Sequence, residues 1–133
     1  IGRTRIRRVA GGCALLGSWT SARGSTGTSL SFYDPGTGRW TQVWVGESGE
    51  RLRLVGGRRD DSMVLEGTRA RGDTTLRDRI IWTPRADGTV EQRWETSADG
   101  GLSWEVYWRG VYYPAAGGGS GLSPPPGRAP ADP

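Results

Sequence analysis

Six tryptophans and three isolated polar residues carry the chemistry this 133-residue sequence can offer. Trp40, Trp44, Trp82, Trp94, Trp104 and Trp108 recur at even spacing with Gln42, Asp78 and Gln92, so an extended backbone turns all nine side chains to one face. Burying a Gln or Asp unpaired costs about 1–3 kcal/mol. Such groups must therefore meet partners, water or a ligand. An aromatic interior with a few convergent polar groups is the composition of a small-molecule pocket. It is equally the composition of a core in which each indole N–H meets a Gln or Asp. Both readings stand at this point, and the pocket reading names Trp40, Gln42, Trp44, Asp78, Trp82, Gln92, Trp94, Trp104 and Trp108 as its lining.

Other chemistries are narrower. The chain has no His and one Cys, Cys13, so an internal disulfide, a His-assisted nucleophile and an ordinary zinc or haem site are all without their side chains. No metal and no cofactor are expected. Asp78 is the one carboxylate placed inward; glycoside hydrolysis asks for two about 5–10 Å apart. An enzyme built on Asp78 survives only as an alternative, in which an unpaired carboxyl in an apolar cavity has a raised pKa. The stretch Ser97-Ala98-Asp99-Gly100-Gly101-Leu102-Ser103-Trp104 matches the Asp box, S-x-D-x-G-x-[ST]-W, whose carboxylate caps backbone N–H groups in a hairpin turn. One copy in a chain this short reads as hairpin stabilisation rather than a glycosidase.

All 18 basic residues are Arg, giving a net charge of +4. Arg3, Arg5 and Arg7, the pair Arg58-Arg59, and Arg69 with Arg71 are the rich places. Acids are interspersed and the rings face away from the Arg, so a solvated face is expected and nucleic acid is not the expected partner. An Arg-surfaced interaction module, using this face or a sheet edge, is the third functional reading.

The elements that must position these groups are strands. Apolar residues recur with period two and are interrupted every eight to twelve residues by Gly, Asp or Pro clusters, while helical periodicity is missing. Strands are predicted near 2–9, 13–21, 28–34, 39–46, 50–56, 62–68, 75–83, 89–97 and 102–113. Leu102, Trp104, Val106 and Trp108 are read as inward on the last of them, with Leu52, Leu54, Met63, Leu65, Leu76 and Ile80 inward elsewhere. The connectors supply Gly, Asp and Pro where tight turns need them. Gly-x-apolar-x-Gln-x-Trp occurs twice, at Gly38–Trp44 and Gly88–Trp94. The expectation is an all-β, antiparallel up-and-down meander over 1–114, curled into a barrel, followed by a disordered Gly/Pro-rich tail over 115–133.

Several motifs then occur in a set order: Gly11-Gly12-Cys13-Ala14-Leu15-Leu16-x-x-Trp19, Ser29-Leu30-Ser31-Phe32-Tyr33-Asp34-Pro35-x-x-Gly38-Arg39-Trp40-x-Gln42-x-Trp44-Val45, Ile81-Trp82-Thr83-Pro84, and Gln92-x-Trp94-Glu95-x-Ser97-x-Asp99-Gly100-Gly101-x-x-Trp104. Over about residues 3–113 the chain resembles a bacterial family of lipocalin-like proteins, domain of unknown function 1579. The resemblance implies a calycin-type barrel shaped like lipocalins and fatty-acid-binding proteins, with no established activity. Those proteins generally open with an aromatic strand of the kind D-F-W-x-G-x-W, which is missing here. A barrel one strand short of closure is therefore expected, with open edges available for oligomerisation. Haem-binding relatives of that shape use a His, which this sequence does not have.

Ile1 stands directly against the first predicted strand, so a processed or truncated piece is expected. Val9-Ala10-Gly11-Gly12-Cys13 has the look of a lipoprotein cleavage box. However, Arg3, Arg5, Arg7 and Arg8 stand where an apolar signal core is required, so no signal is read there and the compartment stays open. No apolar run is long enough for a membrane span. The leading expectation is a non-catalytic barrel that binds a small, largely apolar or aromatic ligand.

Overall fold

The computed structural model describes residues 2–115. The tail expected over 115–133 lies, beyond its first residue, outside the described residues. Nine strands follow one another: β1 Arg3–Val9, β2 Ala14–Thr20, β3 Thr26–Asp34, β4 Arg39–Gly46, β5 Arg51–Arg59, β6 Ser62–Arg71, β7 Thr74–Pro84, β8 Val90–Ser97 and β9 Glu105–Tyr112. One 3-10 turn, Ala10–Gly12, joins β1 to β2. Each strand pairs antiparallel with the next, in the order of the sequence, and β1 and β9 form the two edges. The meander curls into a half-barrel that stays open between them.

One turn differs from expectation for a backbone reason. Gly56 and Gly57 do not end β5, which runs on to a two-residue turn at Asp60-Asp61 with Asp60 at φ 51°. Gly56 instead stays in the ladder opposite Leu65, where a Cβ would stand 2.1 Å from the Val64 carbonyl oxygen. Gly67 on β6 is the companion case, with a Cβ position 2.1 Å from the Arg53 carbonyl oxygen. Only a residue without a side chain lets these backbones approach so closely. The approach bends the sheet, and β4 touches β6 across β5.

The concave face holds the core. Leu52, Leu54, Leu65, Ile80 and Trp94 are buried together, and Trp40, Trp44, Met63, Trp82 and Trp108 pack around them partly exposed. Full burial of each aliphatic side chain is worth about 1.5–3 kcal/mol. The cross-strand register lines up Gln42 with Leu54, Trp44 with Leu52, Ile80 with Trp94, and Trp82 with Gln92. On the convex face of β6–β9, Arg and Glu pair: Arg109 with Glu91 at 2.7 Å, Arg93 with Glu95 at 2.8 Å, Arg77 with Glu66 at 3.7 Å, and Arg79 with Glu95.

The last strand corrects the inward series Leu102, Trp104, Val106, Trp108. β9 begins at Glu105, and Leu102 and Val106 are 90% and 59% exposed. Trp94 opposes Trp108 while Glu95 opposes Val106, so Tyr107 is an extra residue in a β-bulge. The bulge breaks the alternation: Trp108 remains concave, Tyr107 joins it, and Trp104 lies before the strand on the convex side. There its ring sits 4.0 Å from the Arg79 guanidinium.

Candidate functional site

The concave face is built around a buried carboxylate. Asp78 is fully buried, and the register sets it between Gly67 on β6 and Thr96 on β8. Arg69 donates its Nε–H to Oδ2 at 2.7 Å, while the Trp94 indole N–H and the Thr96 hydroxyl donate to Oδ1 at 2.8 and 2.9 Å. Every oxygen of the carboxylate has a donor. A substrate could reach it only by displacing Arg69 or Thr96, which does not meet the requirement of an accessible acid on which the enzyme reading depends.

Arg69 is held by this ion pair and by two aromatic rings. Its guanidinium carbon lies 5.6 Å from the Trp94 ring and 5.7 Å from the Tyr107 ring, and those rings are 4.9 Å apart. Its two terminal nitrogens have no hydrogen bond to another described residue. They border a recess of about 510 Å³ lined by Arg69, Arg71, Leu76, Thr96, Glu105 and Tyr107, among others. Neither Arg69 nor Tyr107 belongs to the set expected from sequence. Arg69 was legible, since it shares the inward parity of Met63 and Leu65. Tyr107 was not, because the bulge brings it round.

Around this buried centre lie the partly exposed indoles. Trp44 covers the bare Cα of Gly27, where a Cβ would fall within 2.1 Å of the ring, and meets Trp19 edge-on at 6.0 Å. Trp40 packs against Tyr33 at 5.6 Å, and Trp108 lies over Gly110. The two Gln residues are each tied by one end. Gln42 donates its Nε2–H to Ser31 Oγ at 3.0 Å, and Gln92 Oε1 accepts from the Tyr112 hydroxyl, whose pKa burial pushes up. Gln42 Oε1 and Gln92 Nε2 remain without a hydrogen bond among the described residues. The two copies of Gly-x-apolar-x-Gln-x-Trp thus place two equivalent Gln groups on the one face.

Of the nine expected lining residues, the structure brings Trp40, Gln42, Trp44, Asp78, Trp82, Gln92, Trp94 and Trp108 to the concave side. Asp78 and Trp94 are sealed there, and Trp104 is excluded. Trp104 belongs instead to the Asp-box turn. Asp99 accepts from the Ser97 hydroxyl at 2.7 Å, from the Ser103 amide at 2.9 Å and from the Ser103 hydroxyl at 2.5 Å, and the Trp104 indole N–H donates to the Gly101 carbonyl at 3.2 Å. Those donors, the Ser103 hydroxyl foremost, hold the Asp99 carboxyl down at about 2.

Among the described residues no three His, Cys, Asp or Glu side chains converge as metal ligands do, and no helix is long and apolar enough to cross a membrane. No family model, characterised protein or solved structure matches the chain.

Proposed function

We propose that the protein is a binding module that holds a small, largely apolar or aromatic ligand in the concave trough, without catalysis. The observation that carries this reading is the set of partly exposed rings Trp40, Trp44, Trp82 and Trp108 packed around a buried floor of Leu52, Leu54, Leu65, Ile80 and Trp94. A sheet that only needed to close its own core would have covered those rings. Apolar surface left in a concavity is where ligands gain most from leaving water. The free ends of Gln42 and Gln92 orient polar atoms of the ligand. The sealed Asp78 serves as a strut for that interior rather than as a reactive group.

Tryptophan fluorescence titrated with a panel of fatty acids and planar aromatics tests the reading. A saturable change is expected for at least one class. Trp108→Ala or Gln92→Leu should weaken it about five- to tenfold, the worth of roughly one lost contact or hydrogen bond. Trp104→Phe should leave the affinity unchanged, since that ring is on the other side of the sheet. A flat response across the panel would remove the proposal.

A further inference from the structure

The convex face divides into two halves of different charge. Residues 1–60 contain ten Arg and four acids, and residues 61–133 contain eight Arg and ten acids. On β6–β9 the convex Arg77, Arg79, Arg93 and Arg109 each have a Glu partner. On β1 and β5 the convex Arg3, Arg5, Arg7, Arg51 and Arg53 are exposed, and none has an ion pair or side-chain hydrogen bond with another described residue.

Register turns these five into two flanks. One row across the sheet reads Arg7, Leu16, Leu30, Val43, Arg53, and the next reads Arg5, Ser18, Thr28, Val45, Arg51. Both rows run from cation to cation over four strand spacings, roughly 19 Å. Between them, at the middle of the convex surface, Leu30 and Val45 are 38% and 45% exposed. Charged side chains on an edge strand are an ordinary protection against edge-to-edge pairing, which accounts for β1. That need does not extend to β5, an interior strand with neighbours on both sides.

We propose that the convex face of β1–β5 docks on an anionic phospholipid surface, with Leu30 and Val45 entering the headgroup layer and Arg3, Arg5, Arg7, Arg51 and Arg53 reaching phosphates on both flanks. A convex sheet meets a plane at its crest, so the apolar residues go deepest and the long Arg side chains span the gap behind them. Clustered basic residues are drawn to anionic leaflets, and a small apolar insertion adds to the hold. Nucleic acid fits the face less well. It would use the Arg but gain nothing from Leu30 and Val45, and among the described residues of this face it would find one half-buried ring, Phe32, on which to stack a base. The docking is independent of the trough, which opens on the opposite side of the sheet.

Co-sedimentation of the full chain with vesicles tests the proposal. Vesicles of phosphatidylcholine containing phosphatidylserine should retain the protein at low salt and release it as salt rises, and pure phosphatidylcholine should not retain it. Arg51→Gln with Arg53→Gln should cut partitioning roughly 25-fold, about fivefold per Arg. Arg109→Gln, on the paired half, should change it less than about twofold. Leu30→Asn with Val45→Asn should weaken binding while keeping its salt dependence. Circular dichroism confirms that each variant folds, and the fluorescence titration of the trough should be unaltered in the Arg variant. Failure to sediment with anionic vesicles, undiminished binding by the double Arg variant, or tighter retention on DNA than on vesicles would overturn the proposal.

Discussion

Asp78 has no exposed surface, and a carboxylate in that position is tolerable only because Arg69 matches its charge and Trp94 and Thr96 fill the remaining acceptor sites. Asp78→Ala would leave a guanidinium beside two rings with its counter-charge gone, together with a buried indole N–H. A loss of about 3–5 kcal/mol is expected, toward the lower end because Arg69 keeps some solvent contact. Asp78→Asn, which retains an acceptor, should cost less. Urea denaturation measures both, and a cost under about 1 kcal/mol for the Ala variant would show that the three donors find other partners. The inward position of Asp78, Gln42 and Gln92 was legible from period two alone. Their partners were not, because Arg69, Ser31 and Tyr112 lie on neighbouring strands whose register is set by the turns between them.

The β8–β9 hairpin shows the same division at the level of an element. Its turn was readable from the Asp-box spacing, and the structure builds it as the motif requires, with Asp99 bridging Ser97 and Ser103. Because the folded Asp99 carboxyl is depressed from an ordinary 3.8 to about 2, its stabilising effect is fully present above 3.8 and is lost as pH falls toward 2. The melting temperature of the wild type should therefore drop across that window. Asp87 and Glu91 are lowered as well, through Thr89 and Arg109, so part of the drop is theirs. Asp99→Asn should melt lower at neutral pH and show a shallower acid dependence, and equal slopes in the two proteins would remove Asp99 as the cause. What the spacing did not reveal is the bulge just beyond the turn. One extra residue in β9 seats Tyr107 against Trp94 and Arg69, and it reverses the face expected for Trp104.

For the whole molecule the open seam between β1 and β9 is the governing feature, since both strands present unpaired backbone groups to any passing strand. On β1 the exposed Arg5 and Arg7 stand as obstacles to such pairing. Replacing them together, Arg5→Val with Arg7→Val, should produce concentration-dependent association in sedimentation velocity where the wild type shows less. No increase would mean that curvature, rather than charge, protects the edge. Nine antiparallel segments, most of their turns and the alternation of faces outside β9 were determined by the sequence alone, because period two and turn chemistry are written within a few consecutive residues. The curl at Gly56 and Gly67, the burial of Asp78 under Arg69 and the gathering of unpaired Arg on one half of the convex face were decided only in three dimensions. Each depends on which backbones and side chains meet across strands far apart in the chain, and local pattern carries no record of that meeting.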